Sequence, residues 1–157
     1  MELADILSEG SVLACDKVKD KADLLGILAE HAAKVTGQDA GAIFEALSGR
    51  EALGSTGLGN GIAIPHGKLA GLKGVVAVFA RLAQPVEFDA VDDQPVDLIV
   101  MLLAPTGAGA DHLKALARVS RLLRNQQTVE KLRAATKPEA LYAILTEPTT
   151  STNSRAA

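Results

Sequence analysis

The amino-acid sequence predicts a single α/β domain in which a mixed, mostly buried β-sheet is flanked by α-helices. Short β-branched apolar runs alternate along the chain with segments whose apolar residues recur at helical spacing. The apolar runs are continuously hydrophobic, as strands covered on both faces are. Hydrophobic residues make up 48% of the 157 positions and aromatic residues only 3%, so the core must be built from Leu, Ile, Val and Ala. A chain of this length is one ordinary domain and buries most of the surface of its unfolded form.

In chain order, Ser11-Val12-Leu13-Ala14 reads as a short strand. Asp20 then opens a helix whose apolar positions Leu24, Leu25, Ile27, Leu28, Ala32 and Val35 continue to Gly37. A second helix begins near Asp39, carries Ile43, Phe44 and Leu47, and ends near Arg50 in a glycine-rich stretch. Ile62-Ala63-Ile64, Val75 through Ala80 and Val96 through Leu103 read as strands. The segments Pro85 to Asp89 and Asp92 to Pro95 have the turn residues and acidic charge of a hairpin or surface loop. Helical spacing returns from Asp111 to Asn125, and two further helices span Thr128 to Ala134 and Pro138 to Leu145. Thr136 and Glu139 stand at capping-box spacing before the last helix. The domain therefore covers residues 1–147. Residues 148–157, which after Pro148 hold no apolar residue larger than alanine to bury, are expected to be a disordered tail.

Several function classes are disfavoured by composition. The longest apolar run, Leu98 to Ala104, stops at Pro105, far short of the ~20 residues of a membrane span. The acidic start Met-Glu-Leu-Ala-Asp lacks the basic and apolar regions of a signal peptide, and Cys15 has no disulfide partner, so a cytoplasmic location is expected. A net charge of -3 and few aromatic rings speak against nucleic acid.

Residues 54–68, Gly-Ser-Thr-Gly-Leu-Gly-Asn-Gly-Ile-Ala-Ile-Pro-His-Gly-Lys, hold the chemistry. A glycine-rich loop lets backbone N–H groups approach an anion. The nucleotide motifs fail, however. Five residues separate Gly61 from Gly67-Lys68 where the P-loop needs four, and Ile62 stands where a dinucleotide fingerprint needs its third glycine. Leu53 replaces the glycine that a serine nucleophile elbow requires before Ser55. His31, His66 and His112 are too far apart in sequence for a local metal motif, and no metal or other cofactor is expected. What remains is His66, preceded by a proline and followed by Gly67-Lys68, an imidazole able to take a phosphoryl group while glycine N–H groups hold the oxygens.

The stretch Gly-Asn-Gly-Ile-Ala-Ile-Pro-His-Gly-Lys at 59–68, with Arg50-Glu51 upstream and Asp111-His112-Leu113-Lys114-Ala115-Leu116 downstream, resembles the enzyme IIA domain of the fructose and mannitol type in the bacterial phosphotransferase system. Within that family the wording is most similar to the nitrogen-regulatory members, and the resemblance runs from residue 3 to about 146. It implies the enzyme IIA type 2 fold, with His66 phosphorylated by a phosphohistidine of the carrier HPr or its nitrogen paralogue. It also implies that His112 and Arg50 complete the site. Thr56, Gly57, Gly59 and Gly61 are the expected phosphate-binding residues beside them. Regulatory targets such as potassium transporters or sensor kinases follow from the nitrogen-type resemblance. Two alternatives remain: a sugar-specific IIA that passes the group to a IIB domain, and a non-covalent anion-binding module.

Each of these residues also has a plainer reading. His66 can simply finish a strand, although the glycines and Pro65 favour an acceptor. His112 at a helix start can be a capping residue, and Arg50 a surface cation near a helix C-terminus. His31 reads as a packed side chain, Cys15 as a small strand residue, and Lys68 as a loop lysine or an aid to steering phosphate. Lys114, Arg118 and Arg121 follow helical spacing and read as a solvated face or as a partner-docking one.

Overall fold

A computed structural model describes residues 2–147. Six strands and five helices form one mixed sheet with helices on both faces. In chain order the strands are β1 (Val12–Cys15), β2 (Gly57–Gly59), β3 (Ile62–Ala63), β4 (His66–Leu69), β5 (Val76–Val86) and β6 (Val96–Pro105). The helices are α1 (Lys21–Thr36), α2 (Ala40–Ala52), α3 (Ala110–Arg124), α4 (Gln126–Ala134) and α5 (Pro138–Leu145). Two 3-10 turns, Leu3–Asp5 and Glu9–Ser11, precede β1.

Local chemistry accounts for the first two helices. The Asp20 carboxylate accepts from the Asp23 N–H at the start of α1, and Gly37 closes that helix in the left-handed region at φ 75°. Asp39 caps α2 in the same way by accepting from Ala42 N–H. For α5 the expected box between Thr136 and Glu139 does not form. Lys137 is the N-cap with no side-chain cap, and Pro138 supplies the preset first-turn geometry.

The sheet order is β1-β5-β6-β3-β2, with β4 also on β6. β5 and β6 are antiparallel, whereas β1 on β5 and both β3 and β4 on β6 are parallel. Because β6 alternates its side chains, Leu98, Val100 and Leu102 enter one core with α3, α4 and α5. Ile99, Met101 and Leu103 enter the other with α1 and α2.

The structure departs from expectation in four further places. β5 continues through Pro85 to Val86, past an irregularity in its pairing after Arg81, where a proline lacking an N–H is tolerated. The acidic loop that follows is anchored inward by Phe88 and Ala90, both buried. β2 and β4 form where glycine and histidine gave no strand signal. Arg118, expected beside Lys114 and Arg121 on an outer face, is buried and lies 3.8 Å from Glu2. The expected tail, residues 148–157, lies outside the described residues. No helix among the described residues is long and apolar enough to cross a membrane, and none of their His, Cys, Asp and Glu side chains are grouped in threes to hold a metal ion.

Candidate functional site

β3 and β4 lie end to end along β6 in one continuous register, with Ile62 opposite Leu98 and His66 opposite Leu102. Alternation along this edge puts Ile62, Ile64, His66 and Lys68 on the face that α3 covers. Gly67 points the other way, and a Cβ there would meet Ala46 of α2 at 3.2 Å, so glycine lets α2 lie close behind the histidine.

Nδ1 of His66 is 2.8 Å from the Ile64 carbonyl oxygen. A carbonyl oxygen only accepts, so in the neutral ring Nδ1 carries the proton and Nε2 keeps the lone pair. His66 is half-buried. Its ring centroid is 5.5 Å from that of His112, with the planes at 61°.

His112 comes from the first turn of α3, a helix whose N-terminus has no side-chain cap. His112 is 7% exposed. Its Nδ1 is buried and has no hydrogen-bond partner among the described residues, so packing holds this imidazole where a polar anchor holds the other. Burial lowers its pKa, and the charges of His66 and Lys68 add to the effect. Lys68, two residues beyond His66 on the same face, thus lies within electrostatic reach of the pair.

Arg50 sits in the last turn of α2, one turn beyond Ala46, and its Nη1 donates to the Gly54 carbonyl at 2.8 Å. Among the described residues it has no hydrogen bond or ion pair with either histidine. Gly54 to Thr56 nonetheless run beside the residues that precede His66, because Ile64 N–H donates to the Thr56 carbonyl at 3.1 Å. Thr56 is buried, and both its N–H and its hydroxyl donate to Glu51. Gly57 donates its N–H to Ser55 Oγ at 3.0 Å, and a Cβ on it would strike Ala90.

Gly59 and Gly61 are not brought to the histidines. They flank the β2–β3 turn, about 13–17 Å along the strand from His66 at four to five residues' rise. Their φ values of 101° and 78°, with Asn60 between them at 58°, mark a turn that favours glycine. A Cβ on Gly61 would strike Arg133, whose guanidinium donates to the Asn60 carbonyl and pairs with Asp97 at 2.9 Å.

A family model described as "Phosphoenolpyruvate-dependent sugar phosphotransferase system, EIIA 2" matches residues 5–147. The chain belongs to this enzyme IIA family. Membership makes it a phosphoryl-carrier component of the phosphotransferase system. A "Nitrogen regulatory protein" from Bradyrhizobium diazoefficiens is 50% identical over 148 residues, covering 94% of this chain and 97% of the relative. Its namesake in Escherichia coli strain K12 is 40% identical over the same 94% of this chain and 91% of its own. The crystal structure of the nitrogen regulatory protein IIA-Ntr from Neisseria meningitidis matches with a TM-score of 0.85 at 36% identity, covering 92% of this chain and 99% of that one. IIA mannitol from Escherichia coli shares the fold, with a TM-score of 0.74 at 21% identity over 88% of this chain and 97% of that one.

Two residues of this IIA protein escaped the sequence reading as contributors near the site. Glu51 was visible only as half of an Arg-Glu pair, and Lys21 gave no signal at all. Their ion pair, 2.9 Å between Lys21 Nζ and Glu51 Oε1, joins positions thirty residues apart. The IIA protein also has a groove of about 480 Å³ between α3, α4 and the β2–β3 turn, bordered by Arg124 and Arg133. That groove contains neither histidine.

Proposed function

We propose that this protein is a regulatory phosphocarrier of the nitrogen branch, accepting a phosphoryl group on Nε2 of His66 from phospho-HPr or its nitrogen paralogue in the cytoplasm. The carrying observation is the bond from His66 Nδ1 to Ile64, which leaves the Nε2 lone pair as the nucleophile of the neutral ring. As the Nε2–P bond forms, the donor's N–P bond breaks and its electron pair returns to the donor ring. The retained Nδ1 proton makes the phosphorylated ring cationic, and the Ile64 carbonyl stabilises it.

His112, edge-on at 5.5 Å and biased toward neutrality, is placed to orient the ring or the phosphoryl oxygens. The uncapped start of α3 presents the positive end of a helix dipole beside it. Arg50 supplies a fork of donors to the phosphoryl oxygens once a phosphoryl group draws it from Gly54, a charge-assisted contact of roughly 1.5–3 kcal/mol. Thr56 and Gly57 belong to the supporting wall, because their N–H groups already have protein acceptors. The nitrogen-regulatory names of the relatives support the regulatory branch. In this reading the phosphorylation state of His66 governs binding to targets such as potassium transporters or sensor kinases.

A sugar-specific role also has an observation in its favour. A "PTS system fructose-specific EIIA component" from Haloferax volcanii is 39% identical over 76% of this chain and 77% of its own. Incubation with phosphoenolpyruvate, enzyme I and HPr, read by intact mass, is expected to add one phosphoryl group that is labile in acid and stable in base. No gain by wild type defeats the carrier reading, and gain by His66→Ala defeats the site. Transfer onward to a IIB domain in the same assay would favour the sugar-specific role.

A further inference from the structure

We propose that Glu51 and Lys21 are positioning residues that hold the His66 ring in its reactive tautomer through a chain of hydrogen bonds. The proposal rests on His66 as the phosphoryl acceptor and adds the device that keeps it ready. Lys21 Nζ donates to Glu51 at 2.9 Å, and Thr56 donates to the same carboxylate from its N–H at 3.1 Å and from its hydroxyl. The Thr56 carbonyl accepts from Ile64 N–H at 3.1 Å. The Ile64 carbonyl then accepts from His66 Nδ1 at 2.8 Å. Five residues from α1, α2 and the two arms of the hairpin edge thus link an ammonium group to the imidazole.

The chain has the chemistry of a built device. The Glu51 side chain is only 5% exposed, and a carboxylate taken out of water is strongly unfavourable without compensating donors. All three of its donors are arranged around it. Lys21 is fixed in turn by the Phe88 carbonyl at 3.3 Å and by the Phe88 ring, whose centroid lies 4.5 Å from Nζ. Ser55 also donates to the Phe88 carbonyl, at 2.7 Å. The segment before the histidine is therefore clamped from behind, each hydrogen bond fixing the position of the residue that makes the next. If Thr56 loses this hold, Ile64 is free to shift, and its carbonyl no longer dictates which ring nitrogen bears the proton.

Ring tautomer, observed by long-range 1H–15N NMR of His66 above neutral pH, is a readout that a merely structural role would not move. Wild type is expected to show the Nδ1–H form. Glu51→Ala and Thr56→Val are expected to shift toward the Nε2–H form and to slow single-turnover phosphorylation by about ten- to a hundredfold, with donor affinity unchanged. Thr56→Ser, which keeps the hydroxyl, should restore both. Thr56→Val retains the Lys21–Glu51 pair and carries the test if Glu51→Ala does not fold. An unchanged tautomer in folded Thr56→Val overturns the proposal, whatever the rate does. If wild type holds the tautomer but accepts no phosphoryl group, the positioning stands and the acceptor reading fails instead.

Discussion

His112 makes the clearest statement about pH, because burial and the charges of His66 and Lys68 all lower its pKa. The folded protein then binds fewer protons than the unfolded chain just below neutrality. This ring's contribution to stability is therefore whole above about pH 6.5 and is lost progressively as pH falls toward the lowered value. His31, lowered chiefly by burial, acts in the same direction. Urea unfolding followed between about pH 7.5 and 5.5 should show stability declining, with a shallower slope in His112→Gln. An identical slope in the variant refutes the assignment. Phosphorylation adds a dianionic phosphoryl group beside this ring, so the His112 titration observed by NMR should move upward in the phosphoprotein. At this scale His66 and His112 were legible, since Ile-Pro-His-Gly-Lys and Asp-His-Leu-Lys are local signatures. Lys21 was not, because only the fold brings α1 to Glu51, and no local pattern encodes a contact across thirty residues.

Among elements, the glycine-rich hairpin corrects a natural inference. Glycines before a histidine suggest a phosphate cradle, yet at least three answer to backbone and packing demands. Gly59 and Gly61 supply the turn, and Gly57 makes room for Ala90. A Cβ at position 57 would lie 2.7 Å from the Ala90 Cβ and 2.9 Å from its Cα, which no side-chain rotation relieves. Gly57→Ala should therefore destabilise the protein by about 1–3 kcal/mol in denaturant unfolding. Gly49→Ala, in α2 with nothing within 4 Å of the added atom, should stabilise it by about 0.5–1 kcal/mol. Equal effects would mean that packing does not explain Gly57. The helices were legible where a capping aspartate and a left-handed glycine bound a periodic run, as at Asp20 and Gly37. β2 and β4 were not, because pairing with β3 and β6 overrides the weak strand preference of glycine.

Across the whole molecule, one strand couples two cores. β6 feeds Leu98, Val100 and Leu102 to the layer of α3–α5, and Ile99, Met101 and Leu103 to the layer of α1 and α2. Neither layer can come apart without exposing one side of that strand, so the protein is expected to unfold as a single cooperative unit. Tyr142 is the one tyrosine in a chain without tryptophan, and it packs against the core of α3–α5. Its fluorescence therefore reports on one layer, whereas far-ultraviolet circular dichroism reports on both. Met101 is fully buried in the opposite layer, and Met101→Ala should cost about 2–5 kcal/mol. If the layers unfold together, this substitution lowers the urea midpoint seen by Tyr142 as far as the midpoint seen by circular dichroism. A Tyr142 transition left in place while the dichroism splits would show two independent halves. A signal raised at His66 would then have no cooperative route through the sheet to α1 and α2 behind it.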